Sequence, residues 1–167
     1  MSIIELAETS PMCEQPEAIK IPMKPHQLTI LKKASDIENC VIDYETTKQN
    51  VSLNTKIGVL CDNVGAGKSL QILAIIANTK KCKSKPIDNH YSFGSYISVK
   101  ATDKIDPVEE FVLPVNVIVV PHTIIKQWIT YIEDYTTLTY GQISNKKTMT
   151  DFQENIDKYS HNDILLV

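Results

Sequence analysis

KIGVLCDNVGAGKSLQILAII, residues 56–76, joins a short, almost wholly apolar run to a glycine-containing octet and then to a second apolar run whose residues suit a helix. A buried strand, a glycine-rich loop and a helix in that order form the arrangement in which backbone N–H groups gather around phosphate. In the octet Asp62-Asn63-Val64-Gly65-Ala66-Gly67-Lys68-Ser69, Gly65 and Gly67 would let the N–H groups from Val64 to Ser69, including those of Ala66 and Gly67, curl around a β-phosphate. The dipole of the following helix stands behind them. Lys68 would pair the β- and γ-phosphates, and the Ser69 hydroxyl would reach Mg²⁺. One position departs from the general phosphate-loop pattern: Asp62 stands where a glycine is usual. The plainer alternative, a glycine turn that happens to precede a helix, is disfavoured by the strand and helix on either side.

Working outward, PMKPHQLTILKKAS begins at Pro22 and places Leu28, Leu31 and Ala34 on one stripe, so a short amphipathic helix is expected with Pro25 near its start. Residues 1–21, rich in Glu, Pro and Ser, read as a mobile leader or interaction tail. The polar stretch 38–55 reads as a surface connection. After the loop helix, KKCKSK (80–85) reads as solvated lysines, and residues 80–114 form an insertion with a hairpin-like part around YISVK. VNVIVVP is a second strand candidate. HTIIKQWITYIEDY follows as a helix with Ile125, Trp128, Ile129 and Ile132 on one face, where Trp128 reads as core rather than as a stacking platform. LTYGQI, KKTMTDFQENIDKYS and DILLV read as strand, helix and strand. Strands alternating with helices give an α/β fold with a parallel sheet flanked by helices.

The chain of 167 residues is 43% hydrophobic, enough for one core, and its net charge of −3 lacks the broad positive field of most free-standing nucleic-acid binders. Any nucleic-acid contact is therefore expected to be local. The four cysteines, Cys13, Cys40, Cys61 and Cys82, have no zinc-type spacing and read as reduced thiols. No stretch has the length and apolarity of a membrane span or the pattern of a signal peptide, so an intracellular protein without a membrane partner is expected.

VLCDNVGAGKSLQILAII resembles motif I of superfamily 2 ATPases, especially the Swi/Snf-like branch, in which an acidic residue commonly stands at the place of Asp62. MKPHQLTIL resembles that branch's segment upstream of motif I, where a glutamine reads the adenine edge, and Gln27 matches it. VIVVPHTIIKQWITYIEDY resembles motif Ia, whose helix start touches a nucleic-acid phosphate, and His122, Thr123 and Lys126 are the matching positions. A helix start with unsatisfied N–H groups agrees with that role, although His122 could equally be a cap. The phrasing of both motifs also resembles helicase-type ATPases of large eukaryotic DNA viruses.

The resemblance implies a RecA-like ATP-binding lobe, residues 22–167, of an ATP-dependent helicase or translocase, with ATP and Mg²⁺ as cofactors and Lys68 in the catalytic role. It further implies a nucleic-acid partner, DNA ahead of RNA, a second helicase lobe, transcription or chromatin partners, and a place in the cytoplasm, nucleus or virion. The lobe is expected to be truncated before the family's carboxylate pair and so to be inactive in hydrolysis. Asp62 and Asp163 are the tempting substitutes, the first better explained as a turn residue and the second as standing at the wrong end of its strand. The alternative is a non-catalytic interaction protein derived from such a lobe. A small P-loop kinase is a weaker third reading, since no arginine-rich lid is visible.

Overall fold

The computed structural model describes residues 9–38, 44–46, 51–53, 58–79, 90–93, 97–100 and 113–167. Its elements are α1 (Pro25–Glu38), β1 (Tyr44–Thr46), β2 (Val51–Leu53), α2 (Lys68–Asn78), β3 (His90–Phe93), β4 (Ile97–Lys100), β5 (Asn116–Ile118), α3 (Ile125–Tyr135), β6 (Tyr140–Gln142), α4 (Lys146–Glu154), α5 (Ile156–Ser160) and β7 (Ile164–Leu166), with a 3₁₀ turn, His122–Ile124, ahead of α3. The apolar runs VNVIVV, LTYGQI and DILLV pair as a parallel sheet in the order β5-β7-β6, with Ile164 opposite both Asn116 and Tyr140.

Because side chains alternate along a strand, β7 feeds two cores. Ile164 and Leu166 pack with Leu31 of α1, Leu73 and Ala74 of α2, and Ile125 and Ile132 of α3. Leu165 packs with Ile143 and Tyr159 beneath α4 and α5. Burying each of the larger aliphatic side chains contributes about 1.5–3 kcal/mol. Trp128 lies partly buried against the first core, as its place in the helical stripe predicts. The result is the expected α/β architecture, a parallel sheet between two helical layers.

The central place of β7 also shapes the functional edge. The connection from β5 to β6 passes over β7 through α3, and the return from β6 to β7 runs through α4 and α5 on the opposite face. Loops leaving a parallel sheet toward opposite faces open a crevice at the carboxyl ends of the strands. Here that crevice measures about 450 Å³ and is bounded by His122, Ile125, Asn145, Lys146, Met149 and Val167.

Several elements differ from the sequence reading. Residues 58–61 of the expected strand KIGVLC form no strand, and Val59 is 75% exposed. A three- or four-residue apolar run becomes a strand only beside a partner, and the described sheet ends at β5. The connection 38–55 contains an antiparallel pair, β1 with β2. The insertion holds the hairpin β3–β4, with Phe93 opposite Ile97, while its break at Asp106-Pro107 lies outside the described residues. The single helix expected over KKTMTDFQENIDKYS is two, divided at Asn155, whose side chain donates to Asp151 Oδ1 at 2.9 Å. Asp151 also accepts from Tyr159 and Lys158, and those bonds hold its carboxyl below the ordinary range. Ile19, within the expected leader, is 3% exposed and belongs to the first core, so the packed chain begins before Pro22.

Candidate nucleotide and nucleic-acid site

The octet takes the backbone form that its glycines permit. Gly65 and Gly67 have φ of 87° and 84°, a left-handed conformation that residues with a Cβ rarely adopt, and Gly67 is the N-cap from which α2 begins at Lys68. Asp62 turns its carboxylate onto the next backbone N–H, that of Asn63, at 2.9 Å, which makes it the turn residue that its position suggested. Ala66 N–H donates to Asn63 O at 3.3 Å and tightens the turn. Lys68 Nζ donates to the carbonyls of Asp62 and Asn63 at 2.9 and 2.8 Å, so the ammonium lies within the curl of the loop. Val64 is fully exposed at the tip, and Ser69 is half-buried in the first turn of α2.

Gln27, from a different part of the sequence, lies against this loop. It is 5% exposed, accepts from Lys24 N–H at 2.8 Å through Oε1 and donates through Nε2 to Ala66 O at 3.2 Å. A Cβ on Gly67 would come within 2.5 Å of Gln27 Nε2, so the glycine is required by space as well as by φ. The amide retains one donor and one acceptor site, the pair that complements the N7 and N6–H₂ edge of adenine. The donor set therefore fits a nucleoside triphosphate: a loop that curls toward a helix start, one lysine, one hydroxyl, and an amide at its side.

His122, Thr123 and Lys126 form a second group at the carboxyl end of β5. All three are exposed, on the 3₁₀ turn and first turn of α3. Among the described residues neither the turn nor α3 has a side-chain cap, so His122 does not act as one; within the turn Ile124 N–H donates to Pro121 O at 3.0 Å and Ile125 N–H to His122 O. Asn145 and Lys146, across the crevice from His122, were not singled out by the sequence. The capping box in which Asn145 Oδ1 accepts from Thr148 N–H and Thr148 Oγ1 accepts from Asn145 N–H was the available signal for that helix start.

Gln71 is a further residue that pattern reading missed. It is 1% exposed on α2, one turn after Lys68, and neither polar atom of its amide has a hydrogen-bond partner among the described residues. Asp163, by contrast, accepts from Thr139 N–H and Oγ1 at 2.9 Å and precedes β7, at the amino end of the sheet away from the crevice. Among the described residues, Cys13 and Cys61 are free thiols, with Cys13 pushed up by burial; no cluster of three acidic, His or Cys side chains could hold a metal, and no helix is long and apolar enough to cross a membrane.

A parallel sheet layered by helices, with a left-handed glycine loop feeding one of those helices and a glutamine against the loop, is the architecture of an α/β RecA-like lobe. Residues 19–166 match the sequence profile of the SNF2-related domain, and the chain belongs to that family, the Swi/Snf-like branch of superfamily 2. It is also 29% identical over 175 residues to the protein named "Putative helicase R592" of Acanthamoeba polyphaga mimivirus, a match covering 91% of this chain and 20% of that protein. The chain thus spans about a fifth of the length of that relative.

Proposed function

We propose that this lobe binds Mg²⁺-ATP and a nucleic-acid strand, DNA ahead of RNA, as the nucleotide-holding part of an ATP-dependent helicase or translocase. The observation that carries the reading is the loop from Asp62 to Ser69, with its two left-handed glycines and Gln27 hydrogen-bonded to Ala66 O. Bound ATP would supply the phosphoanhydride and Mg²⁺ would neutralise its charge. This chain's residues would do the holding. Backbone N–H groups between Val64 and Ser69 would face phosphate oxygens around the turn that Asn63 and Ala66 close, the Lys68 ammonium would pair the β- and γ-phosphates, the Ser69 hydroxyl would reach the metal, and Gln27 would meet adenine. His122, Thr123 and Lys126 would hold a backbone phosphate without reading bases.

Binding in this proposal is separate from turnover. Phosphoryl transfer needs a carboxylate on the metal side and a group that orients water. Asp62 is bonded to its own loop and Asp163 to Thr139, so neither supplies one. A second reading, a non-catalytic interaction protein, gains support from Val117 in β5 and Val119 just after it, 57% and 77% exposed beside a strand edge unpaired among the described residues. Both readings suit an intracellular protein of cytoplasm, nucleus or virion that works with a second helicase lobe and with transcription or chromatin partners. A phosphate-release assay on the protein, with and without DNA, tests the proposal: no DNA-stimulated release is expected, and stimulation abolished by Lys68→Ala would show that hydrolytic residues are present after all.

A further inference from the structure

A run of hydrogen bonds connects the end of α3 with the phosphate loop through residues 15–27. Lys20 N–H donates to Tyr135 O at 2.8 Å and Thr137 N–H to Ala18 O at 2.9 Å, which lays residues 18–20 along the end of that helix. Gln15 then folds over the segment that follows. Its Nε2 donates to Ile19 O and to Ile21 O, each at 3.0 Å, and its Oε1 accepts from Met23 N–H at 2.8 Å. The next backbone donor, Lys24 N–H, is taken by Gln27 Oε1 at 2.8 Å, and Gln27 Nε2 continues to Ala66 O. Two consecutive N–H groups in a stretch without regular secondary structure are thus each held by a glutamine amide.

We infer that Gln15 is a positioning residue for base recognition at the nucleotide site. It fixes the backbone at Met23 and Lys24, and Lys24 N–H in turn fixes which end of the Gln27 amide is acceptor and which is donor. An amide locked that way presents one donor and one acceptor outward. That pair matches adenine, whose edge offers N7 and N6–H₂, and mismatches guanine, whose N7 and O6 both accept. Without Gln15, residues 19–23 lose three side-chain bonds, and the backbone that aims Lys24 N–H at Gln27 Oε1 is held less firmly, leaving Ala66 O as the remaining restraint on the amide. The hydrogen bonds of the exposed Gln15 go to Ile19, Ile21 and Met23 and none to the phosphate loop, so the phosphate grip is expected to change little. This inference rests on the phosphate-loop reading proposed above.

The test titrates ATP, GTP and inorganic tripolyphosphate, each with Mg²⁺, into the wild-type protein and Gln15→Ala. The expected result is a preference for ATP over GTP that falls about three- to tenfold in the variant, the loss of roughly one hydrogen bond's selectivity, while tripolyphosphate affinity stays within about twofold. An unchanged preference would overturn the inference, and so would an equal weakening of all three ligands, which would make Gln15 a purely structural residue. A wild-type protein that binds tripolyphosphate without preferring ATP to GTP refutes the positioning role and leaves the phosphate loop standing. One that binds no tripolyphosphate refutes the phosphate loop, and the inference with it.

Discussion

Lys68 Nζ lies 2.8 Å from the carbonyl oxygen of Asn63 and donates a hydrogen bond to it, five residues back along the chain. A second bond, to Asp62 O at 2.9 Å, completes the hold. The charge is thereby met by neutral carbonyls in the loop that a triphosphate would enter. Ionised acceptors make hydrogen bonds roughly twice as strong as neutral ones, so phosphate oxygens can replace these carbonyls with a net gain.

The two loop glycines should not be equivalent. Gly65→Ala meets no atom within 4 Å among the described residues and carries the strain of a positive φ, on the order of 1 kcal/mol. Gly67→Ala adds a 2.5 Å contact with Gln27 Nε2 to the same strain. Thermal melts should therefore rank Gly67→Ala below Gly65→Ala, and Gln27→Ala should close most of the gap between them. Equal melting points for the two glycine variants would show that Gln27 does not press on the loop.

Gln71 carries a buried amide with neither polar atom satisfied among the described residues, a condition that costs about 1–3 kcal/mol. Replacement by methionine keeps the length and removes the unmet polar groups. Gln71→Met is expected to raise the melting temperature by about 2–8 °C, as a change of one to two kcal/mol does in a domain of this size. A lowered melting temperature would mean that the amide has a partner in solution.

How far the sequence discloses this protein depends on whether a feature is local. The order of β5, α3, β6 and β7 follows from apolar periodicity, and the glycine loop from spacing, because both are encoded within a few residues. KIGVLC fails for the opposite reason: its composition suits a strand, but pairing requires a neighbour that short-range pattern cannot supply, and residues 58–61 have none in the described structure. The break at Asn155 carries no glycine or proline to announce it. Gln27 stood out only through its place ahead of the loop, and its bond to Ala66 O spans 39 residues. Gln15 gives no signal at all, since its partners are backbone atoms common to every sequence.

Nucleic-acid binding should be weak, indifferent to sequence and sensitive to salt, because one lysine and an uncapped helix start can hold a phosphate but cannot read base edges. Thr123→Ala combined with Lys126→Ala should weaken binding to DNA of any sequence and reduce the slope of log affinity against log salt by about 1. Fluorescence anisotropy across a salt series measures both. If affinity and slope are unchanged, the contact lies elsewhere on the lobe.

The central claim is that residues 62–69 grip a nucleotide through its phosphates, and calorimetric titration of ATP and AMP into wild-type protein and Lys68→Ala tests it most directly. The account predicts that wild type prefers ATP to AMP and that Lys68→Ala loses about ten- to a hundredfold in ATP affinity, the worth of a charged hydrogen bond of ~1.5–3 kcal/mol. AMP, which lacks the β- and γ-phosphates, should bind both proteins alike. Equal ATP affinity in wild type and Lys68→Ala would contradict the phosphate-loop assignment.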